Sequence, residues 1–378
     1  MSLVYYSDAK SKRSSESLLE KLGRIIKGSE LPNIVSPGDE VLIKCHMGAE
    51  LTTRYLRPVY VRRVVDEVRA LGGEPLVVET TGLSLLDPRG TAEKYLKIAL
   101  SHGYTPDSLG APIVIADGEC GLDAFEVEVN GLKMKEASLA GALRRADVLI
   151  GLAHFKGHAL VGIGGAVKNI AIGLSSKEGK YLYHYEGKPK VDEGLCNSCG
   201  DCLAICPVNG AIKLVGGKAM IDPDLCAGCL ACIASCKAKA VVTKRRNDPL
   251  ELQIMLADIA SAVVKTVGKE NAFFVNFLLE VDWLCDCEHG DRGWSDLPIV
   301  PDLGMTASVD PVALDVASTE LVNNATGMPG SRADEVGAMK PGADKFKAMF
   351  PNMDWKEALT ACERLGIGRT AHKLVKVD

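Results

Sequence analysis

The sequence lacks any stretch rich in lysine and arginine. Its net charge is −5, and its longest basic run covers only residues 244–246. Binding to nucleic acid through a basic face requires a greater concentration of positive charge, so we expect no nucleic-acid partner. A long uncharged apolar run is also missing. The longest apolar region, 148–174, is interrupted by glycines, two histidines and two lysines, which argues against a membrane span.

Two further signals are absent. We find no charged segment that leads into an apolar segment and a small-residue cleavage site, so we expect a cytoplasmic protein. No nucleotide-binding motif is present either, since residues 162–169 read GIGGAVKN, which is neither G-x-G-x-x-G nor a P-loop. We therefore expect no flavin or nicotinamide. The composition, 47% hydrophobic and 25% charged over 378 residues, is typical of a globular chain with a true core.

Cysteine, by contrast, is concentrated in one segment. Residues 196–236 contain the pattern C-x2-C-x2-C-x3-C twice, which is the spacing of bacterial iron–sulfur proteins. Structural zinc usually takes two separated pairs of ligands, so it fits this spacing less well. A cytosolic cysteine cluster binds metal more often than it forms disulfides. The eight cysteines are Cys196, Cys199, Cys202, Cys206, Cys226, Cys229, Cys232 and Cys236.

This segment resembles a bacterial two-cluster ferredoxin. The resemblance implies two 4Fe–4S clusters whose ligands cross between the repeats. One cluster would be held by Cys196, Cys199, Cys202 and Cys236, and the other by Cys226, Cys229, Cys232 and Cys206. The sequence departs from the ferredoxin pattern at Lys237, where proline is usual. That change leaves the ligands in place.

The rest of the chain alternates strand-like and helix-like segments, which predicts an α/β fold with a mainly parallel sheet. Strands are expected over 41–47, 75–81, 111–117, 147–155 and 272–281, helices over 17–28, 59–73, 91–104, 138–146 and 248–268, and a hairpin near 126–134. The cysteine-rich segment then divides the chain into a first α/β portion (1–189), a small ferredoxin-like α+β insert (190–245) and a second α/β portion (246–378).

Polar residues follow two of the predicted strands. Ligands of open α/β sheets bind at the carboxyl ends of the strands, so these residues are candidates for a common cleft. We expect Lys168, His154 and His158 to be catalytic, because lysine and histidine can transfer protons or hold an anionic group. We expect the substrate to be bound by Lys44, His46, Lys156 and Asn169.

A third group of polar residues lies further along the chain. Cys285, Cys287 and His289 form a C-x-C-x-H run, which suits an additional soft metal ion or a redox-active thiol pair. Two free cysteines on a loop are the alternative. Asp310 precedes Pro311 and is expected to cap a helix.

The segments outside the cysteine repeats resemble the family of domains of unknown function numbered 362. The matching motifs are VLIKCHMGAE, RPVYVRRVVDEVRALGG, HFKGH, GGAVKN and DLGMTASVDPVALD, and the resemblance covers most of 35–185 and 245–325. It implies an iron–sulfur protein whose histidine and lysine motifs surround one pocket. It does not supply a reaction.

Three functions remain open from the sequence. In the first, an oxidoreductase passes single electrons through the clusters to a small substrate or metal in the α/β cleft. In the second, the protein is a non-enzymatic carrier that docks a partner redox enzyme. In the third, it handles a metal or cofactor through Cys285 and Cys287. The first two expect a protein partner that donates or accepts electrons.

Overall fold

An eight-stranded sheet forms the centre of the protein, and the computed structural model describes residues 1–287 and 294–377. The strands are β1 (Ser2–Asp8), β2 (Glu40–Cys45), β3 (Glu74–Glu79), β4 (Ile113–Ile115), β5 (Ala124–Glu128), β6 (Glu136–Ala140), β7 (Val148–His154), β8 (Lys156–His158), β9 (Gly162–Gly164), β10 (Lys190–Val191), β11 (Ile212–Val215), β12 (Lys218–Ile221), β13 (Val241–Val242), β14 (Ala272–Leu278), β15 (Gly304–Ser308) and β16 (His372–Lys376).

Fourteen α-helices are present among the described residues, and most of them cover the two faces of this sheet. They are α1 (Leu18–Gly28), α2 (Leu31–Ile34), α3 (Pro58–Ala70), α4 (Ala92–Ser101), α5 (Pro106–Leu109), α6 (Ala166–Gly173), α7 (Lys177–His184), α8 (Asp201–Ile205), α9 (Ala231–Ser235), α10 (Pro249–Val267), α11 (Pro311–Asn324), α12 (Arg332–Glu335), α13 (Lys345–Met349) and α14 (Lys356–Arg364). Among the described residues, none of the helices combines the length and apolarity needed to cross a membrane.

The order of the strands confirms the predicted α/β class. From edge to edge the sheet runs β16-β1-β15-β14-β7-β2-β3-β4. Five of the seven neighbouring pairs are parallel, whereas β15 runs antiparallel to both of its neighbours. The sheet is therefore mainly parallel, as the alternation of strands and helices predicts.

The chain reverses its direction of travel across the sheet beside β2. From β2 it proceeds outward to β3 and β4, and it then returns to place β7 and β14 on the other side of β2. In open α/β sheets, the crevice at such a switch point, outside the carboxyl ends of the strands, is the usual ligand site. Here those ends are Cys45 of β2 and His154 of β7.

Alternating side chains produce two separate cores. Leu42 of β2 packs with Ile170 of α6 on one face, whereas Val41 and Ile43 pack with Val64 of α3 on the other. Successive side chains of a strand point to opposite faces, so a strand that is apolar throughout must be covered on both sides. This explains why the buried strands read as continuous apolar runs.

One predicted helix, 138–146, is wrong. Residues Glu136–Ala140 form strand β6, and a 3₁₀ turn follows at Gly141–Arg145. β6 pairs antiparallel with β5, which confirms the hairpin predicted near 126–134 and shows that its strands lie further out. Pairing with β5 satisfies the backbone of 136–140, and glycine at 141 disfavours a helix through this segment.

Residues 190–245 begin and end side by side. β10 and β13 pair with each other, and between them lie the hairpin of β11 with β12 and the short helices α8 and α9. An inserted segment requires adjacent ends of this kind. The division into 1–189, 190–245 and 246–378 stays a prediction.

Candidate functional site

A cavity of about 680 Å³ opens at the carboxyl ends of β2, β3 and β7, beside the switch point. Its wall carries more positive than negative side chains. The lysines and arginines are Lys44, Arg89, Lys156, Lys168, Lys180 and Arg246, and the carboxylates are Glu50, Glu79 and Asp87. All of these cations except the exposed Arg246 are buried or partly buried, and an excess of positive charge in a cleft attracts an anion.

Lys44 forms a buried ion pair at the end of β2. It is 1% exposed, and its Nζ lies 3.0 Å from Glu79 Oε1 and donates to Asn169 Oδ1 at 3.0 Å. Burial alone would raise the pKa of Glu79, but the charge of Lys44 and the hydrogen bond from His46 lower it to about 2. Glu79 is therefore ionised and holds Lys44 in place.

His46 joins this pair to a second carboxylate. Its Nδ1 lies 2.8 Å from Glu79 Oε2, and its Nε2 lies 3.2 Å from Asp286 Oδ2. Although burial opposes the charged ring, the two carboxylates raise the pKa of His46. Asp286 also accepts a hydrogen bond from the buried Lys156. Asp286 is thus anchored to the end of β2 through His46 and to β8 through Lys156.

His154 differs from His46 because burial dominates its environment. Its Nε2 donates to the carbonyl of Leu279 at 2.8 Å, and its Nδ1 has no hydrogen-bond partner among the described residues. Burial and the charge of Lys156 lower the pKa of His154 to about 4. The ring is therefore neutral at pH 7, and its Nδ1 can accept a proton or a hydrogen bond.

Lys168 lies beside both sulfur atoms of the C-x-C run. Its Nζ donates to Cys287 Sγ at 2.9 Å and to Cys285 Sγ at 3.3 Å. Burial would raise the pKa of the Cys285 thiol, but its hydrogen bond with Cys287 and the charge of Lys168 hold that pKa well below the usual range. The same sulfurs raise the pKa of Lys168 against the effect of burial. The group therefore holds at least one thiolate beside an ammonium.

His158 completes a possible metal site. A nitrogen of His158 and the two sulfurs all lie within 4.8 Å of one another, and His158 Nε2 is 3.4 Å from Cys287 Sγ. Imidazole and thiolates are ligands that zinc and other soft metals accept. His289, the third member of the predicted C-x-C-x-H run, lies outside the described residues.

The structure brings all the non-cluster residues predicted for the site to this one cavity. They are Lys44, His46, His154, Lys156, His158, Lys168, Asn169, Cys285 and Cys287. Sequence reasoning missed Glu79, Arg89 and Lys180. Glu79 lies near the carboxyl end of a predicted strand, as Lys44 does, and it is the last residue of β3. That shared position is the signal that points to Glu79.

Helix α6 carries Lys168 and Asn169, and a buried carboxylate caps it. Asp315 of α11 accepts the backbone N–H of Ala166 at 2.7 Å and of Val167 at 3.0 Å. A Cβ at Gly165 would lie 2.2 Å from Asp315 Oδ1, so this glycine lets the cap approach closely. Asp315 thereby sets the start of α6 and the position of Lys168.

We expect Asp315→Ala to lower the free energy of unfolding by about 2 kcal/mol, because two helix N–H groups and the amide of Asn276 lose their acceptor. Denaturant unfolding measures this loss. Ser17→Ala, which removes the cap of the remote α1, is the control. Only Asp315→Ala should also slow alkylation of Cys287, since Lys168 shifts; equal alkylation in both variants would contradict the positioning role.

The eight clustered cysteines form two groups around two separate hollows. One hollow is lined by Cys196, Cys199, Cys202 and Cys236, and the other by Cys206, Cys226, Cys229 and Cys232. Each group combines three cysteines of one repeat with the last cysteine of the other. We call them the outer and inner cysteine groups, because Cys199 is exposed whereas Cys229 and Cys232 are buried.

Both repeats bend at equivalent positions. Ser198 and Gly200 in the first repeat, and Gly228 and Leu230 in the second, have positive φ between 59° and 80°. A positive φ is costly for serine and leucine, and such strain persists where the surroundings impose it. Turns of this kind point backbone N–H groups into the hollow, where they can stabilise the negative sulfurs of a cluster.

The inner cysteine group packs against the wall of the cavity. The carbonyl of Cys229 accepts the backbone N–H of Leu85 at 2.9 Å. Leu85 belongs to loop 82–90, and Gly82, Leu83 and Arg89 of that loop line the cavity. Arg89 Nη2 in turn donates to the carbonyl of Cys287 at 3.2 Å. One short loop therefore connects the inner cysteine group with the C-x-C run.

Comparison with solved structures finds distant similarities. One is to the lactate racemase apoprotein from Thermoanaerobacterium thermosaccharolyticum, at 12% identity and a TM-score of 0.44, covering 100% of this chain and 83% of the other. Another is to a crystal structure of a protein from Thermotoga maritima, at 10% identity and a TM-score of 0.37, covering 95% and 61%. No curated protein matches the sequence.

Comparison with family profiles gives a direct assignment. Residues 41–320 match the family described as "Domain of unknown function (DUF362)". The match begins at β2, includes both cysteine repeats, and extends into α11. It therefore spans the cavity and most of the sheet, and the chain belongs to the DUF362 family.

Proposed function

We propose that this protein is an iron–sulfur oxidoreductase that passes single electrons from a protein partner, through two 4Fe–4S clusters, to an anionic small molecule in the cavity. The observation that carries this proposal is the position of the inner cysteine group, which shares loop 82–90 with the cavity wall. A carrier needs only the small cysteine-rich segment. A cavity built from buried ionisable groups beside it suits a reaction.

The cysteine groups fit the clusters in number and in grouping. Each hollow is lined by four cysteines, and four thiolates are the ligand set of a 4Fe–4S cluster. The outer group lies nearer the solvent, with Cys199 exposed, and suits the entry of electrons from a partner. The clusters would supply the one-electron chemistry, while the cavity residues bind the substrate and handle its protons.

The substrate is expected to be anionic because of Arg89. Among the described residues, no carboxylate forms an ion pair with its guanidinium. Burial in the cavity wall opposes the charge of this group, whereas nearby groups raise the pKa of Arg89. Guanidinium binds carboxylate or phosphate with two parallel hydrogen bonds. The neutral His154 is then the candidate for taking up protons, and the ammonium of Lys168 stabilises negative charge beside it.

Arg89→Ala should raise the KM for the anionic substrate about tenfold to a hundredfold, because charge-assisted hydrogen bonds are worth about 1.5–3 kcal/mol. The assay follows oxidation of reduced methyl viologen by the oxygen-free protein with a panel of small carboxylates and phosphates. Arg62→Ala, which removes an exposed arginine of α3 paired with Asp66, is the matched control.

Two results would overturn this proposal. One is that no member of the panel oxidises the reduced protein faster than buffer does. The other is that electron transfer to a ferredoxin proceeds equally in the wild type and in Arg89→Ala, with no turnover of small molecules. The protein would then be an electron carrier.

A second candidate function, metal handling, is favoured by the grouping of His158, Cys285 and Cys287. Under it, the protein purified without oxygen would hold one additional metal ion beyond the cluster iron. The Cys285→Ser variant would lose that ion and keep both clusters. Elemental analysis of the two proteins separates this function from the first.

A further inference from the structure

The sulfur atoms of Cys285 and Cys287 share one ammonium group. Both lie within hydrogen-bond distance of Lys168 Nζ, at 3.3 Å and 2.9 Å, and within 4.8 Å of each other. The ammonium therefore occupies the space beside both sulfurs that a metal ion bound to them would need. A thiolate beside an ammonium is a nucleophilic and redox-active sulfur.

The tautomer of His158 favours a thiol role over a metal role. Its Nδ1 accepts the backbone N–H of Leu160 at 3.1 Å. A neutral imidazole whose Nδ1 is an acceptor carries its proton on Nε2, and Nε2 is the atom 3.4 Å from Cys287 Sγ. His158 therefore donates an N–H to the sulfur, and that nitrogen has no lone pair for a metal ion in this arrangement.

The two sulfurs have different surroundings. Cys287 is partly exposed and is contacted by two donors, Lys168 and His158. Cys285 is buried, and its Sγ lies 3.7 Å from Asp286 Oδ1. Cys287 is therefore the sulfur that an incoming disulfide can reach, and Cys285 is the buried sulfur that closes the disulfide.

We infer that Cys285 and Cys287 form a redox-active dithiol–disulfide couple that receives two electrons through the cluster that the inner cysteine group would hold. This inference rests on the proposed iron–sulfur function. In the reduction, the S–S bond breaks, two electrons enter one at a time and one proton is taken up. The products are one thiol and one thiolate beside Lys168. The electrons come from a low-potential electron-transfer protein.

The spacing of the two cysteines suits a reversible couple. A disulfide across C-x-C closes a small ring and is strained, and strained disulfides are more easily reduced than structural ones. Asp286, the residue between the cysteines, is held by Lys156 and His46. That anchoring keeps the two sulfurs together in both oxidation states. The couple would accept electrons one at a time and then donate two electrons together to a disulfide bound in the cavity.

Thiol trapping on the intact protein tests this inference. The protein, purified without oxygen and with its iron counted, is incubated with bis(2-hydroxyethyl) disulfide, freed of it, and divided. One part receives reduced methyl viologen and the other receives buffer. Free thiols are trapped with N-ethylmaleimide, and the peptide containing Cys285 and Cys287 is weighed by mass spectrometry. Cys362, which is buried, serves as the internal control.

We expect a disulfide between Cys285 and Cys287 after the first treatment and two trapped thiols after viologen. In Cys229→Ser, which lacks one inner ligand, viologen should reduce this disulfide at least about tenfold more slowly, while dithiothreitol reduces it as in the wild type. Lys168→Met should slow the trapping of Cys287 at neutral pH at least about tenfold, and Lys168→Arg should restore part of the rate.

Other outcomes would overturn the inference. Two trapped thiols after the disulfide treatment would show that the pair does not oxidise. A stoichiometric extra metal ion with both sulfurs unreactive would assign the group to metal binding. Equal reduction by viologen in the wild type and in Cys229→Ser would show that the couple does not receive electrons through the inner group. The iron count and the paramagnetic spectrum of the reduced clusters test the proposed function independently of these thiols.

Discussion

Replacing Cys229 with serine should lower the iron content from about eight to about four atoms per chain, because one of four thiolates of the inner group is lost while the outer group is intact. The substituted site is buried and packs against Leu85, so solvent cannot readily replace the missing ligand. Iron analysis and the paramagnetic spectrum of the reduced protein measure the effect. One of two spectral components should disappear.

Cys120→Ser is the matched control for this substitution. Cys120 packs in the same apolar cluster as Cys229 but does not line either hollow. It should therefore keep about eight iron atoms. Retention of all the iron in Cys229→Ser, or an equal loss in Cys120→Ser, would contradict the assignment of four ligands to the inner group.

Lys44→Met should lower the free energy of unfolding by about 3–5 kcal/mol, because it removes the buried ammonium that pairs with Glu79. Lys97→Met is the control, since Lys97 forms an exposed pair with Glu93 on α4, and exposed pairs of this kind contribute about 0–1 kcal/mol. Denaturant unfolding of proteins with equal iron content makes the comparison. Similar losses of stability in both variants would show that the buried Lys44–Glu79 pair contributes no more than an exposed pair.

The double variant Lys44→Met with Glu79→Gln keeps the test informative if the single variant does not fold. Removing the uncompensated charge should restore part of the lost stability.

The contribution of Glu79 to the free energy of unfolding depends on pH with a definite sign. Glu79 has a pKa of about 2 in the folded protein and an ordinary value of 4.5. Its stabilising contribution is therefore complete above pH 4.5 and declines as the pH falls toward 2. The difference between wild type and Lys44→Met should narrow in that range.

Local patterns were sufficient for much of the fold. The continuous apolar runs at β2, β7 and β14 and the helix starts at Pro58 and Pro311 predicted elements that the structure contains, because they depend on neighbouring residues only. Segment 138–146 was predicted to be a helix and pairs as a strand with β5. There, a partner from another part of the chain decided the conformation. The edge strand β16 and its neighbour β1 were not predicted, since each depends on a partner that is remote in the chain.

The residues of the candidate site likewise fall into those that the sequence predicts and those that only the tertiary structure brings together. The sequence places Lys44 and His154 near the ends of two predicted strands. The rule for switch points then places both residues at one edge of the sheet. Arg89 gave no sequence signal, because it lies in a loop whose position depends on Leu85 and the inner cysteine group. The partners of Lys168, Cys285 and Cys287, are 117 and 119 residues away along the chain.

By itself, the sequence determined the two cysteine repeats, the α/β class and the residue types available for chemistry, because spacing and periodicity express contacts between near neighbours. Only the tertiary structure decided which charges meet. It paired Lys44 with Glu79, placed Lys168 against two sulfurs and set the inner cysteine group beside the cavity. Burial strengthens each of these interactions, and burial results from packing elements that are distant in the chain.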